Sequence, residues 1–258
     1  MAGLLEGKKG LILGVANKRS IAWSIAKSVS AQGAQLAFTY QGERLLENVK
    51  ELADTLPGSM VLPCDVMRED EVEEVFRKID AAWNGLDFLA HCVAYAKAED
   101  LEGNYLKTKK EGFDTALGVS AYSLTLLSQK AAPLMEKRGG GSIVTLTYLG
   151  GQRVAPGYNV MGVAKAALEA SVKYLANDLG PKNIRVNAIS AGPINTLAAR
   201  GIAGFAEILK MARERSPLKR NTEAEEVGDS ALFLFSPLSR GITGQILFVD
   251  SGYNILAF

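Results

Sequence analysis

The chain has 258 residues, 48% hydrophobic and 22% charged, with 29 Lys and Arg against 28 Asp and Glu. That composition suits a globular protein with a sizeable core. A net charge of +1 offers no footprint for nucleic acid or an anionic membrane surface. Apolar runs fall well short of the roughly 20 residues of a membrane span. Met1 to Gly7 contains Glu6 and lacks the layout of a signal peptide, so a cytoplasmic protein is expected. Cys64 and Cys92 are too few for a disulfide framework or a cysteine-based zinc site. His91 is the only histidine, which excludes a multi-histidine metal site, and no G-x-S-x-G elbow accompanies it. The chemistry must come from tyrosine, lysine, carboxylates or a bound cofactor.

In chain order, residues 10–15 read as a buried strand and 20–32 as a helix with Ser20 at its N-cap. Strands are expected over 35–40 and 60–63, each followed by a charged helix, 42–54 and 68–83. The fourth strand spans 86–93. A long helix then runs from about 111 to 137, ended by Gly139, Gly140 and Gly141. A strand over 142–147, a helix over 158–179, and strands at 184–189 and 245–249 complete the pattern. Continuous apolar strands followed by helices indicate a parallel sheet covered on both faces. The expected fold is therefore a Rossmann-like, doubly wound, seven-stranded α/β sheet in one domain over 1–258. Ligands bind such sheets beyond the carboxyl ends of the strands. Residues 195–217 interrupt the pattern and are long enough to cover that edge, with a helix over 206–215 carrying Ile208, Leu209 and Met211.

The turn after the first strand, Gly14 to Ala22, has one glycine and fails the G-x-G-x-x-G dinucleotide fingerprint. It is either an ordinary connection or a junction whose helix-opening amides, at Ser20 and Ile21, hold a pyrophosphate. After the second strand comes Tyr40-Gln41-Gly42-Glu43-Arg44. Gln41 can bond a ribose hydroxyl, and a single Arg44 beside Glu43 is a weak site for a 2′-phosphate, so NADH is expected over NADPH. Tyr158 and Lys165 lie seven residues apart, a spacing that returns to one face of a regular helix. A lysine beside a phenol is expected to lower the tyrosine pKa. Tyr148 ends the fifth strand and can converge on the same place. Such a pair also occurs by chance in many helices.

These residues carry a resemblance. The whole chain resembles the short-chain dehydrogenase/reductase superfamily, and more narrowly the NADH-dependent enoyl-acyl-carrier-protein reductases of bacterial type II fatty acid synthesis. Those enzymes have Tyr-x6-Lys and a second tyrosine, as Tyr148, Tyr158 and Lys165 stand here, where other superfamily members have Ser and Tyr-x3-Lys. The match extends through Phe38 to Gln41, Cys64-Asp65-Val66, Asn187 to Ala199 and Val249 to Tyr253.

The resemblance implies that Gly14, Ser20, Ile21 and Gln41 hold the pyrophosphate and adenosine of NAD. Asp65 and Val66 would flank the adenine, and Val93 would pass beside the cofactor. Ile194, Asn195, Thr196, Leu197 and Ala198 would meet the nicotinamide end, and Lys165 its ribose. Tyr158 would bind the thioester oxygen of the substrate, while Tyr148 and Ala96 would touch the acyl group. It also implies an acyl carrier protein as partner and a homotetramer. Three positions depart: Cys92 stands for a serine, Ala94 for a glycine, and Gly118 for an acid. Two rivals remain, a carbonyl reductase of the same fold and a cofactor-binding regulator without turnover.

Overall fold

The computed structural model describes residues 3–197, 199 and 204–257. Among them, seven strands form one parallel sheet: β1 (Lys9–Leu13), β2 (Gln35–Tyr40), β3 (Met60–Pro63), β4 (Phe88–His91), β5 (Gly141–Thr147), β6 (Ile184–Ala191) and β7 (Ile246–Val249). Their order is β3-β2-β1-β4-β5-β6-β7. The order reverses between β1 and β4, where Leu13 pairs with His91. That reversal is the switch point at which an open α/β sheet receives its ligand.

Successive strand residues point to opposite faces. Leu11 and Leu13 of β1 join one core with α3 (Glu69–Trp83), α6 (Ser123–Lys137) and α7 (Asn159–Leu179). Ile12 joins the other with α1 (Ile21–Ser30), α2 (Glu43–Ala53) and α9 (Ala224–Phe235). Both faces are covered, so the strands carry almost no polar alternation. Phe38 and Phe88 are fully buried in the second core, each worth about 2–3 kcal/mol. Helix ends follow local chemistry. Glu69, Asp70 and Glu71 open α3 against its positive dipole end, and Asn84 in the left-handed region closes it. Glu223 and Glu226 form a reciprocal capping box on α9.

Strand and helix positions match the expectation closely, with three corrections. The helix expected over 111–137 is split into α5 (Lys110–Leu117), a π-helical turn (Gly118–Tyr122) and α6. Serine side chains drive the break. Ser123 Oγ donates to Val119 O, and Ser120 Oγ both accepts from Tyr95 N at 3.0 Å and donates to Tyr95 O at 3.2 Å. Second, Gly141 begins β5, so Gly139 and Gly140, with φ of 81° and 131°, make the turn alone. Third, Ser20 stands at the N-cap of α1 but its hydroxyl does not cap the helix. It turns back to accept from Ala16 N and Asn17 N, both at 3.1 Å, and orders the preceding loop. The short α4 (Ala98–Leu101) lies in a stretch with no expected element.

In the segment 195–217, α8 (Phe205–Arg215) forms where a helix was expected, after Gly204 at φ 71°. Ala198 and residues 200–203, within its small apolar first part, lie outside the described residues.

Candidate active site

At the carboxyl ends of β1, β4, β5 and β6 the chain encloses a cavity of about 430 Å³. Ile21, Ala96, Tyr148, Tyr158, Ile194 and Thr196 line it together, six of the residues singled out by sequence. Thr147 and Tyr148 arrive at the end of β5, and Ile194 and Thr196 just beyond β6. The wall is mostly apolar, from Met161, Pro193, Phe205 and Ile208 among others. Phe205 and Ile208 bring α8 into the cavity wall. Sequence reasoning missed Met161, Pro156 and Leu101, because an apolar residue facing a ligand has the same signature as one facing the core.

Tyr148 and Tyr158 form the polar focus. Their rings meet nearly edge-on, centroids 5.1 Å apart at 71°, a favoured aromatic geometry. Gly150 makes this approach fit: a Cβ there would come within 2.5 Å of the Tyr158 ring. Tyr158 occupies the N-cap position of α7, and Asn159 follows at φ 32°. Tyr158 thus stands at the start of the helix, its carbonyl accepting from Met161 N and Gly162 N, with the left-handed Asn159 between it and the regular turns that carry Lys165.

Lys165 is 6% exposed, and its Nζ donates to Leu146 O in β5 at 2.8 Å. Burial draws its pKa down to about 8, opposed by Cys92 and Glu169. The expectation that Lys165 lowers the Tyr158 pKa is corrected. Burial, reinforced by Tyr148 and Glu169, pushes the Tyr158 phenol well above the usual tyrosine range. The Lys165 ammonium instead donates to the backbone of β5. Tyr158 is therefore a neutral hydrogen-bond donor at physiological pH. Tyr148 is shifted upward too, by burial and then by Tyr253.

His91 is a core residue. Its ring nitrogens contact Thr145 Oγ1 at 2.7 Å and Ser123 Oγ at 2.8 Å, and burial pushes its pKa down to about 3.

The remaining candidates lie along the same sheet edge, together with Thr196 of the cavity wall. Gly14 has φ 95°, and a Cβ on it would sit 2.1 Å from Cys92 O, so only glycine lets the β1 and β4 ends meet here. Gln41 is exposed beside Gly42 at φ 71°. Asp65 Oδ1 accepts from Met67 N at 2.9 Å. Val66 is buried and Val93 packs on the core. Thr196 Oγ1 accepts from Ala199 N at 3.1 Å, while Asn195 and Leu197 are exposed. The glycine-only turn at Gly14, the amides that open α1 and the cavity wall at Ile21, Ile194 and Thr196 suit an extended dinucleotide. The departures also have places. Ala94 lines the cavity, and a Cβ on Gly118 would press on the flexible end of Met67 at 2.9 Å. No group of three or more metal-ligating side chains occurs among the described residues.

Comparison with known proteins agrees with this arrangement. A profile of the Enoyl-(Acyl carrier protein) reductase family matches residues 14–254. The chain is 56% identical over 255 residues to the NADH enoyl-[acyl-carrier-protein] reductase FabI of Bacillus cereus, covering 98% of this chain and 99% of that one. It is 58% identical to the Bacillus subtilis FabI, covering 98% of each. The solved Bacillus cereus reductase with NADP+ and an indole naphthyridinone superposes at a TM-score of 0.97, with 56% identity over 99% of this chain and 100% of that one. The Anaplasma phagocytophilum reductase with NAD gives 0.96, with 50% identity over 100% of this chain and 98% of that one. The chain belongs to the enoyl-acyl-carrier-protein reductase family.

Proposed function

We propose that this protein reduces trans-2-enoyl thioesters of acyl carrier protein with NADH, as a step of fatty acid elongation. The neutral Tyr158 hydroxyl, paired with Tyr148 in an apolar cavity at the switch-point edge, carries the reading. NADH would supply a hydride for the β-carbon of the enoyl group, and a solvent-derived proton completes the α-carbon.

The chain's residues then manage the charge that collects on the thioester oxygen. Tyr158 donates to that oxygen, and a preorganised donor of this kind is typically worth about 2.7–4 kcal/mol in the transition state. Because its phenol resists ionisation, it keeps its proton until an oxyanion forms. Tyr148 holds the Tyr158 ring and closes the acyl side together with Ala96. Lys165, fixed by Leu146 O, presents its ammonium to the nicotinamide ribose. Ile194, Asn195, Thr196, Leu197 and Ala198 form the nicotinamide side, with Val93 beside it. Gly14, Ser20, Ile21, Gln41, Asp65 and Val66 hold the rest of the dinucleotide. Phe205 and Ile208 support a covering role for the 195–217 segment, which excludes water from the enolate.

The reading includes one domain, a homotetramer and a cytoplasmic location. No helix among the described residues is long and apolar enough to cross a membrane. Crotonyl and acetoacetyl thioesters assayed side by side with NADH test the activity. Oxidation with the crotonyl substrate supports enoyl reduction. Oxidation with acetoacetyl alone assigns a carbonyl reductase, and binding without oxidation assigns a regulator.

A further inference from the structure

One turn along α7 from Lys165 stands Glu169, a carboxylate only 6% exposed that the mechanism above does not use. Its Oε1 accepts from Thr147 Oγ1 at 2.7 Å, and its Oε2 from Gln152 Nε2 at 3.0 Å. These donors bracket Tyr148: Thr147 ends β5, and Gln152 follows the 3-10 turn Leu149–Gly151. Missing side chains let this turn lie flat on α7. A Cβ on Gly151 would stand 3.0 Å from Glu169 Oε1, and one on Gly162 would stand 2.8 Å from Gly150 O. Glu169 is the tether of the loop that carries Tyr148.

A buried carboxylate with two neutral donors is costly unless a cation lies near. Lys165 supplies that cation without a direct contact, since its Nζ donates to Leu146 O. We propose that Glu169 is a positioning residue for the reduction, fixing Tyr148 through Thr147 and Gln152 and standing as the buried counter-charge one turn from Lys165. The inference rests on the proposed roles of Tyr148 and Lys165.

The titratable groups facing Lys165 are His91 and Cys92 from the end of β4 and Glu169 from its own helix. Burial pushes the Cys92 thiol up to about 12 and His91 down to about 3, so both are neutral near pH 8. Glu169 is the charged neighbour. Removing its charge leaves burial less opposed, and Lys165 loses its proton at lower pH.

The direct test is a titration of the ligand-free protein labelled with 13Cε-lysine, followed by NMR. Lys165 should titrate near pH 8. In Glu169→Gln, which preserves shape, its midpoint should fall by about one pH unit. Thr147→Val removes a donor and leaves both charges, so its midpoint should stay with the wild type while kcat/KM for a crotonyl thioester drops about tenfold. An unchanged midpoint in folded Glu169→Gln overturns the charge role. Full activity in Thr147→Val overturns the tether, and that arm decides even if Glu169→Gln does not fold. A wild-type protein that reduces no enoyl thioester defeats the proposed function, yet the NMR midpoints still judge the pairing of Glu169 with Lys165.

Discussion

Tyr148 and Tyr158 meet edge to face with ring centroids 5.1 Å apart, so the end of β5 and the start of α7 share one aromatic contact inside the cavity. The contact packs the Tyr158 ring against Tyr148 at the cavity wall.

Tyr158→Phe keeps the ring contact and removes only the donor. Its kcat should fall by one to three decades, about 1.4 kcal/mol per decade, with NADH affinity unchanged in a fluorescence titration. A full kcat, with hydride transfer shown to limit the rate, would remove Tyr158 from the mechanism.

Lys165 is expected to act on the cofactor and to cost stability. Lys165→Ala should weaken NADH binding more than Tyr158→Phe does. Its folded pKa, about 8, lies below the unfolded value, so the unfolded chain holds more protons between pH 8 and about 10. Stability contributed by this group therefore rises with pH across that window, and its penalty, on the order of 3 kcal/mol, is complete below pH 8. Lys165→Met should flatten that rise in urea denaturation; an unaltered slope would contradict the burial argument.

The sole histidine gives an acid counterpart. His91 is neutral in the fold down to about pH 3, whereas in the unfolded chain it protonates near 6.5. Stability should fall as pH drops below 6.5, by about 2 kcal/mol at pH 5. Urea denaturation of His91→Gln at pH 7, 6 and 5 should show a shallower decline than the wild type. Equal declines would mean that His91 is not the group responsible.

Cofactor choice rests on Gln41, exposed beyond β2 with no basic cluster beside it. NADH should exceed NADPH in kcat/KM. A preference for NADPH would assign a phosphate contact to Arg44 or to a cation elsewhere. A solved relative binds NADP+ and another binds NAD, so direct comparison of the two cofactors is informative.

Ser120, fully buried in the π-helical turn, clamps both backbone groups of Tyr95 next to cavity residues Ala94 and Ala96. Ser120→Ala should loosen that loop and raise the KM for the enoyl substrate several-fold, roughly 1 kcal/mol, with little change in NADH affinity. An unchanged KM would show that the loop holds without the clamp.

Much of this was legible in sequence because burial on both faces leaves continuous apolar strands. Gln35–Tyr40 and Met60–Pro63 fall where their patterns place them. Tyr148 and Tyr158 were legible because they end a strand and start a helix at the ligand edge. The π turn was hidden, since one extra residue barely disturbs helical periodicity and its cause, the Ser120 bonds to Tyr95, is tertiary. The direction of the Tyr158 shift was hidden for a related reason. It depends on how deeply the phenol is buried and on Tyr148 and Glu169 beside it, and neither is a property of spacing. Glu169 stayed unnoticed because a glutamate one turn from a lysine usually reads as a solvated helix pair.

The central claim is hydride delivery to the β-carbon of an enoyl thioester. A single turnover with NADH deuterated at the transferring position of C4, and a trans-2-enoyl acyl-carrier-protein substrate, tests it most directly. Mass spectrometry of the saturated product should find one deuterium, located at the β-carbon. No saturated product, or deuterium at the α-carbon or the thioester carbonyl carbon, would contradict the account.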